Sequence, residues 1–293
     1  MSTLSVAGGT GALGRHVIDR ALGGGHAIRL LTRDRARIPA DLRGRVTPVV
    51  GDARDPRAAA ELVRGADVVF SCAGASVMME LGRGWRGYGA VDTPLNTALV
   101  DAAAATGSRP RFVYVSVFHT PELRRLAYVD AHERVVERIV ASGLPYGIVR
   151  PTGFYSAVAA SYLDLARKGT LPEIGDGSAR TNPIGDDDLA AVCMGAITSD
   201  ERALAVDAGG PDVVTRHAIG EMAFAAAGKK PRFRRVPPWL GRLGAAFLRP
   251  LHPRIGQFAA FIAAISTLDL VAPAHGKDRL TDAFARAAAC AAG

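Results

Sequence analysis

Apolar residues along this chain fall in short runs rather than in strict alternation, and each early run gives way to apolar positions spaced by three and four. Residues 4–7 form the first run. It breaks into glycines at 8, 9, 11 and 14, and Leu13, Val17, Ile18 and Leu22 follow at helical spacing, which predicts strand, tight turn and helix. Runs at 27–31, 46–50, 67–71, 111–117 and 146–149 predict strands two to six. Helices are expected over 58–63, 94–106 and 129–142, the last stopped by Gly143 at a C-cap position. Short Val/Ile-rich strands without alternation suit burial on both faces, so the pattern predicts an α/β chain with a doubly wound parallel sheet.

Beyond residue 150 the alternation loosens. Tyr155, Tyr162 and Leu163 suggest a helix, 175–178 a turn and 203–207 a further strand, while Thr215 caps a helix over 217–227 that Gly228 stops. Asp186, Asp187 and Asp188 stand where a helix begins, and acidic residues there stabilise the helix N-terminus, which favours caps over metal ligands. Two regions are therefore expected, 1–150 for nucleotide binding and 151–293 as a smaller substrate-binding region with a helical tail, interwoven with the first. Phe154, Tyr155 and Tyr162 are candidate substrate-binding residues for an apolar or aromatic small molecule, although aromatic side chains are also ordinary core.

The tail differs in character. Trp239, Leu240, Leu243, Phe247 and Leu248 recur at helical spacing, and the apolar run 258–268 is too short for the roughly 20 residues that span a bilayer. Such a pattern more commonly packs on the domain's own core or on a second subunit, as in a homodimer, than on a membrane surface.

The glycine turn carries the first chemistry. Glycine is wanted where the backbone turns sharply and a pyrophosphate must approach it, and the helix that follows offers unpaired N–H groups and a positive dipole end. Gly8, Thr10, Gly11, Ala12, Leu13 and Gly14 are the candidate phosphate positions. Arg33, about twenty residues on at the end of strand two, favours NADP(H) over NAD(H), since a 2′-phosphate wants a cation; the neighbouring Asp34 keeps NAD(H) open.

Composition removes several alternatives. The 293-residue chain carries a net charge of +8, but only Lys168, Lys229, Lys230 and Lys277 are lysine among its 36 basic residues. That arginine bias, with one cluster at 229–235 and no base-stacking motif, argues against nucleic acid as a partner. Cys72, Cys193 and Cys290 are far apart and lack metal or disulfide spacing, so no metal site is expected. Residues 1–3 lead straight into the first strand without an export-signal pattern, and a cytoplasmic protein is expected.

The turn Gly8-Gly9-Thr10-Gly11-Ala12-Leu13-Gly14, with Gly51-Asp52-Ala53, Ser71-Cys72-Ala73-Gly74, Val115-Ser116-Val117, Ser142-Gly143-Leu144-Pro145-Tyr146 and Arg150-Pro151-Thr152-Gly153-Phe154, resembles the atypical short-chain dehydrogenase/reductases, in particular their NmrA-like NAD(P)-binding branch with its Rossmann-type sheet. The resemblance implies that Asp52 and Ala53 sit by the adenine, that Ala73 and Gly74 run along the cofactor, and that the loop after Pro151 faces the nicotinamide. It also implies a catalytic group of Ser116, Tyr128 and a lysine four residues later, which lowers the tyrosine's pKa. Position 132 is instead His, one helical turn from Tyr128 and unable to act as a permanent cation. Three readings follow: an oxidoreductase using Tyr128 or His132 on a carbonyl, enone or quinone, hydride transfer without a side-chain acid, or a non-catalytic NADP(H) redox sensor acting through a protein partner.

Overall fold

A computed structural model describes residues 1–74 and 87–290. In chain order the first half comprises β1 (Thr3–Ala7), α1 (Ala12–Gly23), β2 (Ala27–Thr32), β3 (Thr47–Val50), α2 (Pro56–Val63), β4 (Val68–Ser71), α3 (Tyr88–Ala104), β5 (Arg111–Val115), α4 (Ala127–Ser142) and β6 (Tyr146–Pro151). There follow α5 (Tyr155–Lys168), β7 (Leu171–Ile174), β8 (Arg180–Thr181), α6 (Asp186–Thr198), β9 (Ala203–Ala208), β10 (Val214–Thr215), α7 (Arg216–Ala226), β11 (Phe233–Val236), α8 (Pro238–Leu251), α9 (Pro253–Ile265) and α10 (Leu280–Cys290).

Seven strands form one parallel sheet in the order β3-β2-β1-β4-β5-β6-β9. Both faces are buried, as the unbroken apolar strands require. Leu4 and Val6 of β1 turn towards α1 and α6, packing with Val17, Ile18, Leu189 and Cys193. Ala7 and the opposite faces of β4 and β5 meet α2, α3 and α4 through Leu62, Leu99, Val135 and Ile139. The winding reverses between β1 and β4, which opens a crevice at the carboxyl ends of the strands.

Local chemistry explains most element ends. Asp55 caps α2 by accepting from Arg57 N, Thr215 caps α7 by accepting from Ala218 N, and Gly143 closes α4 with φ of 68°. The acidic run at 186–188 begins α6 and is fully engaged: Asp186 accepts from Ser156, Asp187 from Arg20, and Asp188 from the backbone of Lys277 and Asp278. No metal-binding cluster occurs among the described residues. One boundary departs from expectation, since α3 begins at Tyr88 and carries Pro94 inside it. Its first turn is held from outside, where Tyr88 is buried and its N–H donates to Gln257 Oε1 of α9 at 3.1 Å, so packing outweighs the proline.

Residues beyond 150 build a second cluster from α5, α7 and α10, with β11 paired to β7 beside it. It is tied to the sheet by Asn182, whose amide donates to Gly210 O and Ala272 O and whose Oδ1 accepts from Ala272 N. No described helix is long and apolar enough to cross a membrane.

Candidate functional site

The crevice begins at the glycine turn. Gly8 has φ of +89°, and a Cβ there would lie 2.8 Å from Ala73 N, so the turn is pressed against the segment that follows β4. A Cβ at Gly14 would run into Gly8 O, which seats α1 on the turn. Gly11 differs, because a Cβ there meets only Gly8 O at 3.4 Å and otherwise faces open space. Gly11 is also the N-cap of α1, with no side-chain cap and no acid in the first turn, and Thr10, Gly11 and Ala12 are exposed while Leu13 anchors in the core. A helix N-terminus left bare beside an open backbone fits a dinucleotide pyrophosphate.

Where the resemblance implies the adenosine, Arg33 is exposed. Asp34 is exposed as well, its Oδ1 accepting from Ala36 N at 2.9 Å to cap a short 3₁₀ turn while Thr32 Oγ1 donates to its carbonyl. Asp52 is gripped by the Arg54 guanidinium, which is the main reason its carboxyl is pulled down to about 2, with Arg33 adding to the field. Ala53 is buried beneath.

Beside the turn, Cys72 directs its thiol at Ala7 O and Gly8 O, 3.7 and 3.6 Å away, and burial pushes that thiol up to about 12. It is a packing group rather than a nucleophile. A chain of buried amides fixes the next residues: Ser71 Oγ donates to Asn96 Oδ1 at 2.6 Å, and Asn96 Nδ2 donates to Ala73 O and Asp92 O. Gly74 lies against the Asp92 carboxyl, which a Cβ would approach to 3.4 Å.

The end of the crevice where the resemblance implies the nicotinamide is more crowded than the sequence suggests. Tyr128 and His132 do meet, ring centroids 4.8 Å apart, within a cage completed by Tyr88 and Phe261, each under 5 Å from Tyr128. His132 Nδ1 pairs with Tyr114 OH at 2.7 Å. Burial drives the imidazole down to about 4 and raises the Tyr128 phenol, to which the Asp92 charge adds. Ser116 is drawn elsewhere, donating to Glu133 Oε1 at 3.1 Å. Glu133 is buried and is held by Arg150 at 3.3 Å, with His119 Nε2 at 3.5 Å; the Arg150 guanidinium above all keeps its carboxyl below the ordinary range despite burial.

The aromatic ring expected around the substrate needs correction. Tyr155 is buried in the second cluster and its hydroxyl donates to Asp278 O, while Tyr162 packs on the same cluster beside Arg216. Phe154 is half-buried against the sheet core, and Pro151 ends β6 with its carbonyl accepting from Phe118 N. The helical phase of 155, 159 and 166 turns α5 inward, so its tyrosines close a core rather than line a site. Tyr88, Phe261, Asp92, Asn96 and Glu133 were not picked out from the sequence. Only Glu133 had a signal there, as the residue after His132.

Comparison with known proteins gives the family. A family described as NAD(P)H-binding matches residues 8–200, and the chain belongs to it, within the atypical short-chain dehydrogenase/reductases. Divinyl chlorophyllide a 8-vinyl-reductase of Zea mays is 28% identical over 324 residues, covering 97% of this chain and 79% of that protein. A (4-alkanoyl-5-oxo-2,5-dihydrofuran-3-yl)methyl phosphate reductase of Streptomyces griseus is 29% identical, covering 78% of this chain and 75% of its own. In fold, the NADPH-dependent quinone oxidoreductase of Escherichia coli complexed with NADPH aligns over 99% of this chain and 100% of its own with a TM-score of 0.73 at 17% identity.

Proposed function

We propose that the protein is an NADP(H)-dependent reductase delivering hydride to a conjugated, electron-poor carbon–carbon double bond, of the enone or quinone type, in an apolar substrate. The observation that carries the reading is the neutral, buried His132 where a lysine would lower the tyrosine's pKa. With the Tyr128 phenol raised by burial, the site holds a hydrogen-bond donor but no strong proton donor.

That chemistry suits a conjugated acceptor. When bound, the reduced nicotinamide supplies the hydride. As hydride adds to the β-carbon, the electron pair of the double bond shifts towards the carbonyl oxygen as an enolate. Tyr128 O–H stabilises that oxygen by a hydrogen bond, and the α-carbon takes its proton from water. A simple carbonyl, whose oxygen must be protonated as an alkoxide forms, asks more of the acid than this site offers. The relatives' names point the same way, one to a vinyl group and the other to an alkanoyl-substituted oxo-dihydrofuran. Arg33 is exposed with no carboxylate among the described residues paired to it, and one oxygen of the neighbouring Asp34 is engaged in a local cap, which favours NADPH over NADH.

The test is NADPH consumption with menadione and an aryl enone, against an aryl aldehyde as control. The expected result is oxidation of NADPH by the first two, slower with NADH, and none with the aldehyde. NADPH binding by calorimetry without turnover of any conjugated probe would replace this reading with that of a redox sensor.

A further inference from the structure

Helix α8 is built inside out. It rests on α9 through its small residues: Ala245 is buried, and a Cβ at Gly241 would lie 3.4 Å from Ala263 Cβ. Its large apolar residues point the other way. Trp239, Leu243 and Phe247 recur every fourth position and so share one face, with Leu240 and Leu251 beside them, and all five are 45 to 70% exposed. They are half of the ten large hydrophobics exposed across the described residues. The expectation that this stripe packs on the domain's own core is therefore overturned, because the core contact is already made by glycine and alanine.

The charge around the stripe identifies what it meets. From residue 222 to residue 268 the sequence holds no Asp or Glu but two lysines and six arginines. Lys229, Lys230, Arg232, Arg234 and Arg235, in the segment leading into α8, are all exposed. An apolar face with a tryptophan, flanked by a basic segment in which, among the described residues, Arg235 alone lies within ion-pair distance of a carboxylate, Glu173 at 3.5 Å, matches the interfacial zone of an anionic bilayer, where the side chains enter the acyl boundary and the cations meet phosphates. A second copy fits poorly, since a two-fold contact through this face would set two such basic segments, each with a net positive charge, against each other. Helix α8, about 21 Å long at 1.5 Å per residue, would lie in the membrane plane.

We propose that the outer face of α8, with the basic segment that precedes it, is a docking surface for anionic phospholipid bilayers. The same α8–α9 hairpin presents Phe261 to Tyr128 on its inner side, so the face that meets lipid backs directly onto the candidate site. Docking does not depend on the reaction proposed above and is read without turnover.

The experiment is flotation of the full chain with vesicles of phosphatidylglycerol and phosphatidylcholine, and with phosphatidylcholine alone, at low salt. Wild type should float with the anionic vesicles, stay behind with the neutral ones, and be released as salt shortens the Debye length from about 30 to about 3 Å. Leu243→Ser with Phe247→Ser should weaken partitioning about 100-fold, and Lys230→Ser with Arg234→Ser about 10-fold, each with an unchanged thermal midpoint because all four side chains face solvent. Equal binding to neutral vesicles, or no binding to anionic ones, would overturn the proposal. So would a micromolar dimer that the Leu243→Ser, Phe247→Ser variant disperses, which would assign the face to a second copy.

Discussion

Protonation of His132 gives the most exacting check on the geometry of the site. Its folded pKa is about 4 against an ordinary 6.5, because burial disfavours the imidazolium. Below pH 6.5 the unfolded chain takes up a proton that the folded chain refuses, so the stability tied to this group is fully present above 6.5 and is lost as pH falls towards 4. At about 1.4 kcal/mol per pH unit the loss comes to about 2 kcal/mol between pH 7 and 5, and about 3 kcal/mol in full. Urea unfolding of wild type and His132→Gln at those two pH values isolates it, since contributions from Glu133 and other groups are common to both. The variant should start less stable, having lost the pairing with Tyr114, and should lose about 2 kcal/mol less on acidification. Parallel pH dependences, or a wild type that gains stability on protonation of His132, would refute a buried neutral imidazole and restore it as a candidate cation for Tyr128.

Three further outcomes follow from the same geometry. Gly11→Leu should abolish NADPH binding in calorimetry while the thermal midpoint holds, because the space at Gly11 is open to ligand and not to protein. Arg33→Ala should weaken NADPH by about 1.5 to 3 kcal/mol and leave NADH nearly unchanged, the size of a charge-assisted hydrogen bond to the 2′-phosphate; equal losses for both cofactors would reduce Arg33 to a loop residue. Tyr128→Phe should lower turnover about 100-fold, the range for removing one donor at a developing oxyanion, without unfolding the cage around it.

Much of the fold was legible because its signals are local. The strand runs, the glycine turn, the Gly143 stop and the Thr215 cap each depend on a few adjacent residues, and the sheet follows from their alternation. The bare N-terminus of α1 above that turn was legible for the same reason. Where the sequence misled, the deciding partner was distant. Tyr155 meets Asp278, 123 residues on, and so leaves the expected substrate wall. Ser116 finds Glu133 and Arg150 only because parallel β5 and β6 bring their carboxyl ends together beside α4. The outward face of α8 was hidden for a subtler reason: helical periodicity tells which residues share a face, not which face is buried, and here Gly241 and Ala245 took the inside.

Hydride transfer to carbon of a conjugated double bond is read directly by isotope tracing. NADPH deuterated at both C4 positions is incubated with the protein and an aryl enone, and the product is analysed by NMR and mass spectrometry. The expected product is a saturated ketone carrying a single deuterium at the carbon β to the carbonyl. Deuterium on the carbonyl carbon of an allylic alcohol, or a product without deuterium, would contradict it.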